Sequence, residues 1–288
     1  MPMLHATPHG RCRARPRLLK PFDPRPSMPI PLQRFPIATA VLVALNVGVW
    51  LLQVANGVSP LSPSSMTLIS WGGDLPLYTL TGDTWRLFTA MFLHIGIVHL
   101  ALNMYVLAFT APQVEYEFGT ARMLGIYLAG GLLASCASVF WGEMRSTPGN
   151  PVGLLTVGVG ASGAVMALFG SLLAGLVLPT PRFAHLPKAQ QPGINKSLIQ
   201  AVAINVGMGF MIKGVDNAAH VGGLFGGLAI GVIMAIAPAA IGARATLARF
   251  LATAALTAVC VSMLLHGAQR EQLMLLRTEL DAQRHLVR

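Results

Sequence analysis

Seven apolar blocks, roughly 36–56, 96–114, 121–141, 162–178, 197–212, 218–236 and 247–266, alternate along the chain with more polar stretches. Apolar runs of about 20 residues, wound as α-helix, cross a hydrocarbon layer about 30 Å thick. The pattern therefore predicts an all-α, polytopic transmembrane helical bundle. The fourth block is short. From Ser162 it holds about 16 apolar residues, roughly 24 Å of helix, less than the layer is thick. If its far end reaches one membrane face, its start at Ser162 lies below the other. The segment 57–95 is broken by Pro and Gly, then turns semi-apolar around Trp71 and Trp85. Tryptophan favours the membrane interface, so this long connection is expected to lie partly embedded along the outer leaflet. Beyond the seventh block, residues 269–288 are charged, with leucines at heptad-like intervals. They predict a short amphipathic helix, whose role the pattern does not reveal.

Composition sharpens this picture. The chain is 54% hydrophobic and 10% charged, against about 25% charged in a soluble globular protein. It lacks the polar surface that a water-soluble fold needs, and its length leaves little room for a second folded domain. The formal net charge is +10, and Arg11, Arg13, Arg15, Arg17, Lys20, Arg25 and Arg34 all precede the first block. Such a cluster can bind nucleic acid or mark the cytoplasmic side of a membrane protein. The span that follows directly favours topology, with no nucleic-acid partner. The proline-rich segment 1–35 is expected to be disordered. Arg122, Arg182, Lys188, Lys196, Arg244 and Arg249 fall on the same side as that segment. The opposite loops hold Arg86, Arg145 and Lys213. The N-terminus is thus expected in the cytoplasm and the tail outside. The first apolar block lies too far in, and is too long, for a cleaved signal peptide. Cys12, Cys136 and Cys260 show no metal or redox spacing.

Three polar constellations sit in or beside the blocks, where ionisable groups are costly and point to function. The first is Gly160-Ala161-Ser162-Gly163, at the start of the short fourth block. A serine at a helix N-terminus has free backbone N–H groups beside it that can stabilise an oxyanion. The same four residues also suit close helix packing. The second is His220, which opens the sixth block and is followed by Gly223, Gly227 and Gly231 at helical spacing. A glycine stripe lets another helix come close. If that helix is the fourth, His220 lies near Ser162 and can act as its base. A structural bond to a neighbouring helix is the other reading. Asp216 and Asn217 either cap this helix or, in the case of Asp216, orient the imidazole. The third is His94, His99 and Asn103. His99 and Asn103 share a helix face, and an Asn amide donates hydrogen bonds without charge, which suits an oxyanion hole. Both side chains could equally bond between helices. A metal held by His94, His99 and His220 lacks both the spacing and a supporting carboxylate or thiolate, so neither metal nor organic cofactor is expected.

Together these residues resemble the rhomboid family of intramembrane proteases. Gly160-Ala161-Ser162-Gly163 matches its GxSG motif, and His220 with Gly223 and Gly227 matches its histidine-plus-GxxxG helix. His99 and Asn103 match its HxxxN element, Trp85-Arg86 its tryptophan-arginine pair, and Glu115 with Gly119 its ExxxG turn. The resemblance covers roughly 36–237 with the motifs in order. It implies a six-helix rhomboid-like core over 36–237, with 238–288 adding one extra C-terminal span and the charged tail. It implies Ser162 as nucleophile and His220 as general base, with Asn103, His99 and the Ser162 amide as oxyanion hole. Trp85, Arg86, Glu115, Gly119, Gly160, Gly163, Gly223 and Gly227 would be structural support. Arg86 and Glu115 read equally well as solvated surface charges. One departure stands out: Met166 occupies the place, one turn after the serine, where the family usually has an aromatic.

The expected function is an intramembrane serine endopeptidase, acting on transmembrane protein substrates in a bacterial inner membrane. The alternatives are a non-catalytic relative that binds client helices and a transporter with a broken fourth helix. The absence of an inverted repeat argues against the transporter. Retention of both serine and histidine argues against the non-catalytic relative.

Overall fold

The computed structural model describes residues 36–147, 149–178, 191–211, 214–235, 243–267 and 270–286. The basic segment 1–35, Lys213 and most of the proline-rich loop 179–192, with Arg182 and Lys188, lie outside the described residues. All seven apolar blocks fall on helices, and the described residues hold no β-strand.

The first block is α1 (Ile37–Ala55). The connection that follows contains three short helices, α2 (Ser65–Ser70), α3 (Pro76–Leu80) and α4 (Arg86–Thr89). Then come α5 (Gly96–Phe118), α6 (Thr120–Met144), α7 (Ser162–Val177), α8 (Gln191–Met211), α9 (Asn217–Ala235), α10 (Ala243–Gly267) and α11 (Arg270–Leu286). Five of them, α1, α5, α6, α9 and α10, are long and apolar enough to cross a membrane. Helix α7 is apolar but has only 16 residues. Helix α8 has 21 residues but carries Lys196, Gln200 and Asn205 among its apolar side chains.

Periodicity explains which face each helix buries. On α5, Leu100, Met104, Leu107, Ala111, Val114 and Phe118 point inward at spacings of three and four, while Leu102, Tyr105 and Phe109 point out. Helix α7 is the exception, because almost every residue from Gly163 to Leu172 is buried. It is the central helix, with α6 and α9 packed against it.

Small residues make that packing possible. A Cβ added to Gly223 would lie 2.1 Å from the Gly163 carbonyl oxygen, and one on Gly227 would lie 2.0 Å from that of Ala167. No side chain fits at such distances, so the backbones of α7 and α9 touch along the glycine stripe.

At the other end of α5, Glu115 ties three helices together. The start of α1 has no side-chain cap of its own. Its orphan amides at Ala38 and Thr39 donate to the Glu115 carboxylate at 3.1 Å each. The Thr39 and Thr120 hydroxyls complete the cradle at 3.0 and 2.9 Å. The chain then turns into α6 through Gly119, whose φ is +84°. Glu115 is therefore a buried helix cap, not a solvated charge.

Arg86 is likewise buried. Its guanidinium donates to the carbonyls of Ile69 and Gly73 at 2.8 and 2.9 Å and pairs with Asp83 at 3.0 Å. It also stacks over the Trp85 ring at 4.5 Å. One cation thus fastens the turns of segment 57–95. Helix α11 packs against α3 of that segment, so the tail and the long connection lie at the same end of the bundle.

Candidate active site

Ser162 is the first residue of α7. No side chain caps this helix start, so its first backbone N–H groups remain available to a ligand. Gly160, two residues earlier, has φ +133°, a conformation that side-chain-bearing residues avoid. A Cβ on Gly160 would also lie 2.9 Å from His99 Cε1, 3.1 Å from His99 Nε2 and 3.8 Å from Ser162 Oγ. The glycine therefore brings the imidazole of α5 up to the serine turn.

The His99 ring is held in one tautomer. Its Nδ1 accepts the Ile95 backbone N–H at 3.2 Å. In a neutral imidazole that leaves the proton on Nε2, the nitrogen that faces Gly160. Asn103, one turn on, donates from Nδ2 to the His99 carbonyl at 2.9 Å. An Asn amide has two N–H donors, and this bond uses one.

His220 is one turn into α9 and buried. The contacts on either side of it fix its place. Gly163, next to Ser162, would meet the Ala219 carbonyl 3.5 Å from an added Cβ, and Gly223 lies against Gly163. The first turns of α7 and α9 are thus in register, with Ser162 and His220 adjoining the contact. Among the described residues, the buried His220 imidazole lies near the Asn205 carbonyl of α8, short of full hydrogen-bond geometry, and no hydrogen bond joins it to the Ser162 side chain. Catalytic hydrogen bonds often tighten only when substrate arrives.

Asp216 caps α9. Its Oδ1 accepts the Ala219 N–H at 3.0 Å, and its backbone carbonyl accepts that of His220 at 3.1 Å. Its other carboxylate oxygen accepts the Ser138 hydroxyl of α6. The carboxylate is therefore engaged with the helix end and with α6. Met166 lies fully within the apolar core.

One buried polar group beside the site, Asp74, escaped notice in the sequence. Asp74 is buried, with its carboxylate bonded by the Thr79 hydroxyl. Its backbone pairs with Gly158 through two bonds, at 3.0 and 2.8 Å, which ties the outer segment to the strand-like lead into Ser162. Burial pushes the Asp74 carboxyl up to about 7, helped by the Asp216 charge and opposed by the Thr79 bond and by Arg86. A lone acid inside the apolar stretch 71–80 was the available signal. Among the described residues, neither ring nitrogen of buried His94 has a hydrogen-bond partner, the nearby Phe92 carbonyl falling short of that geometry. Burial, and then the neighbouring His99 ring 5.2 Å away, lower its pKa to about 3.

The structure thus gathers Ser162, Gly160, Gly163, His99, Asn103, His220 and Gly223 around the paired starts of α7 and α9. Gly227 lies one turn deeper. Trp85 and Arg86 belong to the outer segment, and Glu115 and Gly119 to the far end of α5. The described residues contain no cluster of three or more His, Cys, Asp and Glu side chains able to hold a metal.

Helix content, apolar spans and this buried polar centre define an integral, multi-pass membrane protein. Residues 81–237, more than half of the chain, match the model of the family described as the Rhomboid domain. The chain is 33% identical over 235 residues to Rhomboid protease GluP of Bacillus subtilis (strain 168), covering 81% of this chain and 41% of GluP. It is 31% identical over 207 residues to Rhomboid protease AarA of Providencia stuartii, covering 69% of this chain and 73% of AarA. With RHOMBOID-like protein 4 of Arabidopsis thaliana it shares 35% identity over 179 residues, 62% of this chain and 41% of that protein. It therefore spans well under half the length of two of these relatives. The chain belongs to the rhomboid family.

Proposed function

We propose that this protein is an intramembrane serine endopeptidase, with Ser162 as nucleophile and His220 as general base. The observation that carries the reading is the backbone contact between α7 and α9, which sets the serine turn and the histidine turn side by side. A serine hydroxyl needs an adjoining base to attack at neutral pH, and a buried imidazole can supply one. In this reading a substrate helix unwinds at its outer end and presents a peptide carbonyl to Ser162. His220 takes the hydroxyl proton and returns it to the leaving amine. The developing oxyanion is met by the uncapped α7 amides, by His99 Nε2–H and by the free N–H of Asn103. The likeness to relatives named as proteases supports this activity. The substrates would be membrane proteins with a segment that unwinds near the site.

We read residues 36–237 as the six-helix core and 238–288 as an added span and tail. The charge of segment 1–35 supports a cytoplasmic N-terminus in a bacterial plasma membrane. A relative that binds membrane helices without cutting them is the competing reading. A fluorophosphonate probe separates the two. Wild type should label and cleave a single-span test protein, while Ser162→Ala and His220→Ala should lose turnover. A folded wild type that neither labels nor cleaves would rule the protease out, and retained turnover in His220→Ala would rule out the dyad.

A further inference from the structure

The leucines of the charged tail have a destination. Leu273, Leu276 and Leu280 share one face of α11 and join the cluster formed by Leu77, Leu80, Leu87 and Leu264. Arg277 and Asp281 flank that face and carry polar contacts to the same segment. The Arg277 guanidinium donates to the Thr81 hydroxyl at 2.9 Å and pairs with Asp83 Oδ1 at 3.1 Å. It lies 4.6 Å over the Tyr78 ring, whose hydroxyl donates to Asp281.

Asp83 links this tail arginine to the buried one. Its second oxygen, Oδ2, accepts from Arg86 Nε, and Arg86 sits 5.2 Å from the same Tyr78 ring. Two arginines therefore share one carboxylate and one aromatic ring. From Arg86 the contacts continue to the Gly73 carbonyl, next to Asp74, whose backbone pairs with Gly158 just ahead of Ser162. An unbroken series of bonds runs from the tail to the serine turn.

We propose that α11 is an intramolecular clamp on the outer segment, with Arg277 as a positioning residue that acts through Asp83 and Arg86. The positioning role rests on the proteolytic reading above; the clamp does not. A shared, partly exposed ion pair and a cation–π contact are each weak beside the packing of the bundle. Their loss should change local opening without unfolding the bundle.

The test is hydrogen exchange on the purified full chain, together with turnover of a single-span test protein. In Arg277→Ala, amides of residues 77–87 should exchange about tenfold faster, with those of α7 unchanged. Leu273→Ala should act in the same direction. Turnover in Arg277→Ala should fall several-fold in kcat with KM little changed, and Arg277→Lys should recover part of both losses. Unchanged exchange in both variants overturns the clamp. Faster exchange with wild-type kcat overturns the positioning role. If the wild-type chain cleaves nothing, the proteolytic reading fails, and the exchange results still decide the clamp.

Discussion

Where α7 meets α9, the chain achieves contact by removing side chains. Where segment 57–95 holds its own turns together, it does so by adding polar ones. At the first interface, glycines let carbonyls and Cα atoms touch, and among the described residues the two helices are held there by backbone contact. At the second, Arg86 alone makes three polar contacts and a ring stack. A seam made of backbone has no slack, because a displaced helix has no rotamer to change. A polar network has several members, and losing one leaves the others in place. Ser162 and His220 adjoin the rigid seam, and the adjustable segment is tied to the lead into Ser162.

The seam should break most severely. Gly227→Val would drive methyl groups into the Ala167 backbone, 2.0 Å from where a Cβ would start, and neither helix can yield without losing its partner. The expected outcome is no monodisperse folded protein in detergent. Gly48→Ala on α1, where nothing lies within 4 Å, should unfold as wild type does. Similar behaviour of the two variants would mean that the seam is compliant.

The outer network should yield next. Arg86→Ala leaves two carbonyls and the Asp83 carboxylate without their buried donor, at a cost of about 3 kcal/mol. Equilibrium unfolding followed by tryptophan fluorescence measures it. Arg86→Lys should recover only a part, because an ammonium cannot match the fork that serves two carbonyls, a carboxylate and a ring. Full recovery by lysine would show that charge alone matters there.

The smallest net effect is a pH dependence, because two buried groups drive it in opposite directions. Asp74 is held near 7 in the fold against about 3.8 for the free side chain. The native state therefore retains a proton that the unfolded chain gives up, and stability should decline as pH rises from about 4 to about 7. Asp74→Asn should flatten that decline. His94 acts in the opposite direction. It is held near 3 against 6.5, so its contribution is present above pH 6.5 and is lost as pH falls toward 3. Unfolding midpoints measured from pH 4 to pH 8 for wild type, Asp74→Asn and His94→Gln would separate the two groups. An unaltered profile in Asp74→Asn would assign the dependence elsewhere.

Local signals were legible and distant ones were not. Hydropathy located all seven long helices, and the fourth block, 162–178, became Ser162–Val177. Helix α8 starts at Gln191, ahead of the expected 197, because polar residues extend it where apolar periodicity is silent. Helices α2, α3 and α4 have four to six residues each, too few for a period to register. Glu115 could be read as a solvated charge because its partners at Ala38 and Thr39 are far away in sequence, and Arg86 because it binds the backbone carbonyls of Ile69 and Gly73, which leave no side-chain signal. The tail showed its amphipathic face but not what the face covers, since Arg277 meets Asp83 from 194 residues away. In the candidate site, the motif residues were visible. The tautomer of His99 was not, because it depends on the Ile95 backbone amide.

Helix α7 is about 24 Å long, while α5, α6 and α10 have 23, 25 and 25 residues. Because α7 is enclosed, acyl chains grip the taller rim and never feel the stub at its centre. A thicker or thinner bilayer is accommodated by tilt of that rim. The immersion depth of residue 162 is thus inherited from neighbouring helices, shielded from the lipid in which the protein happens to reside.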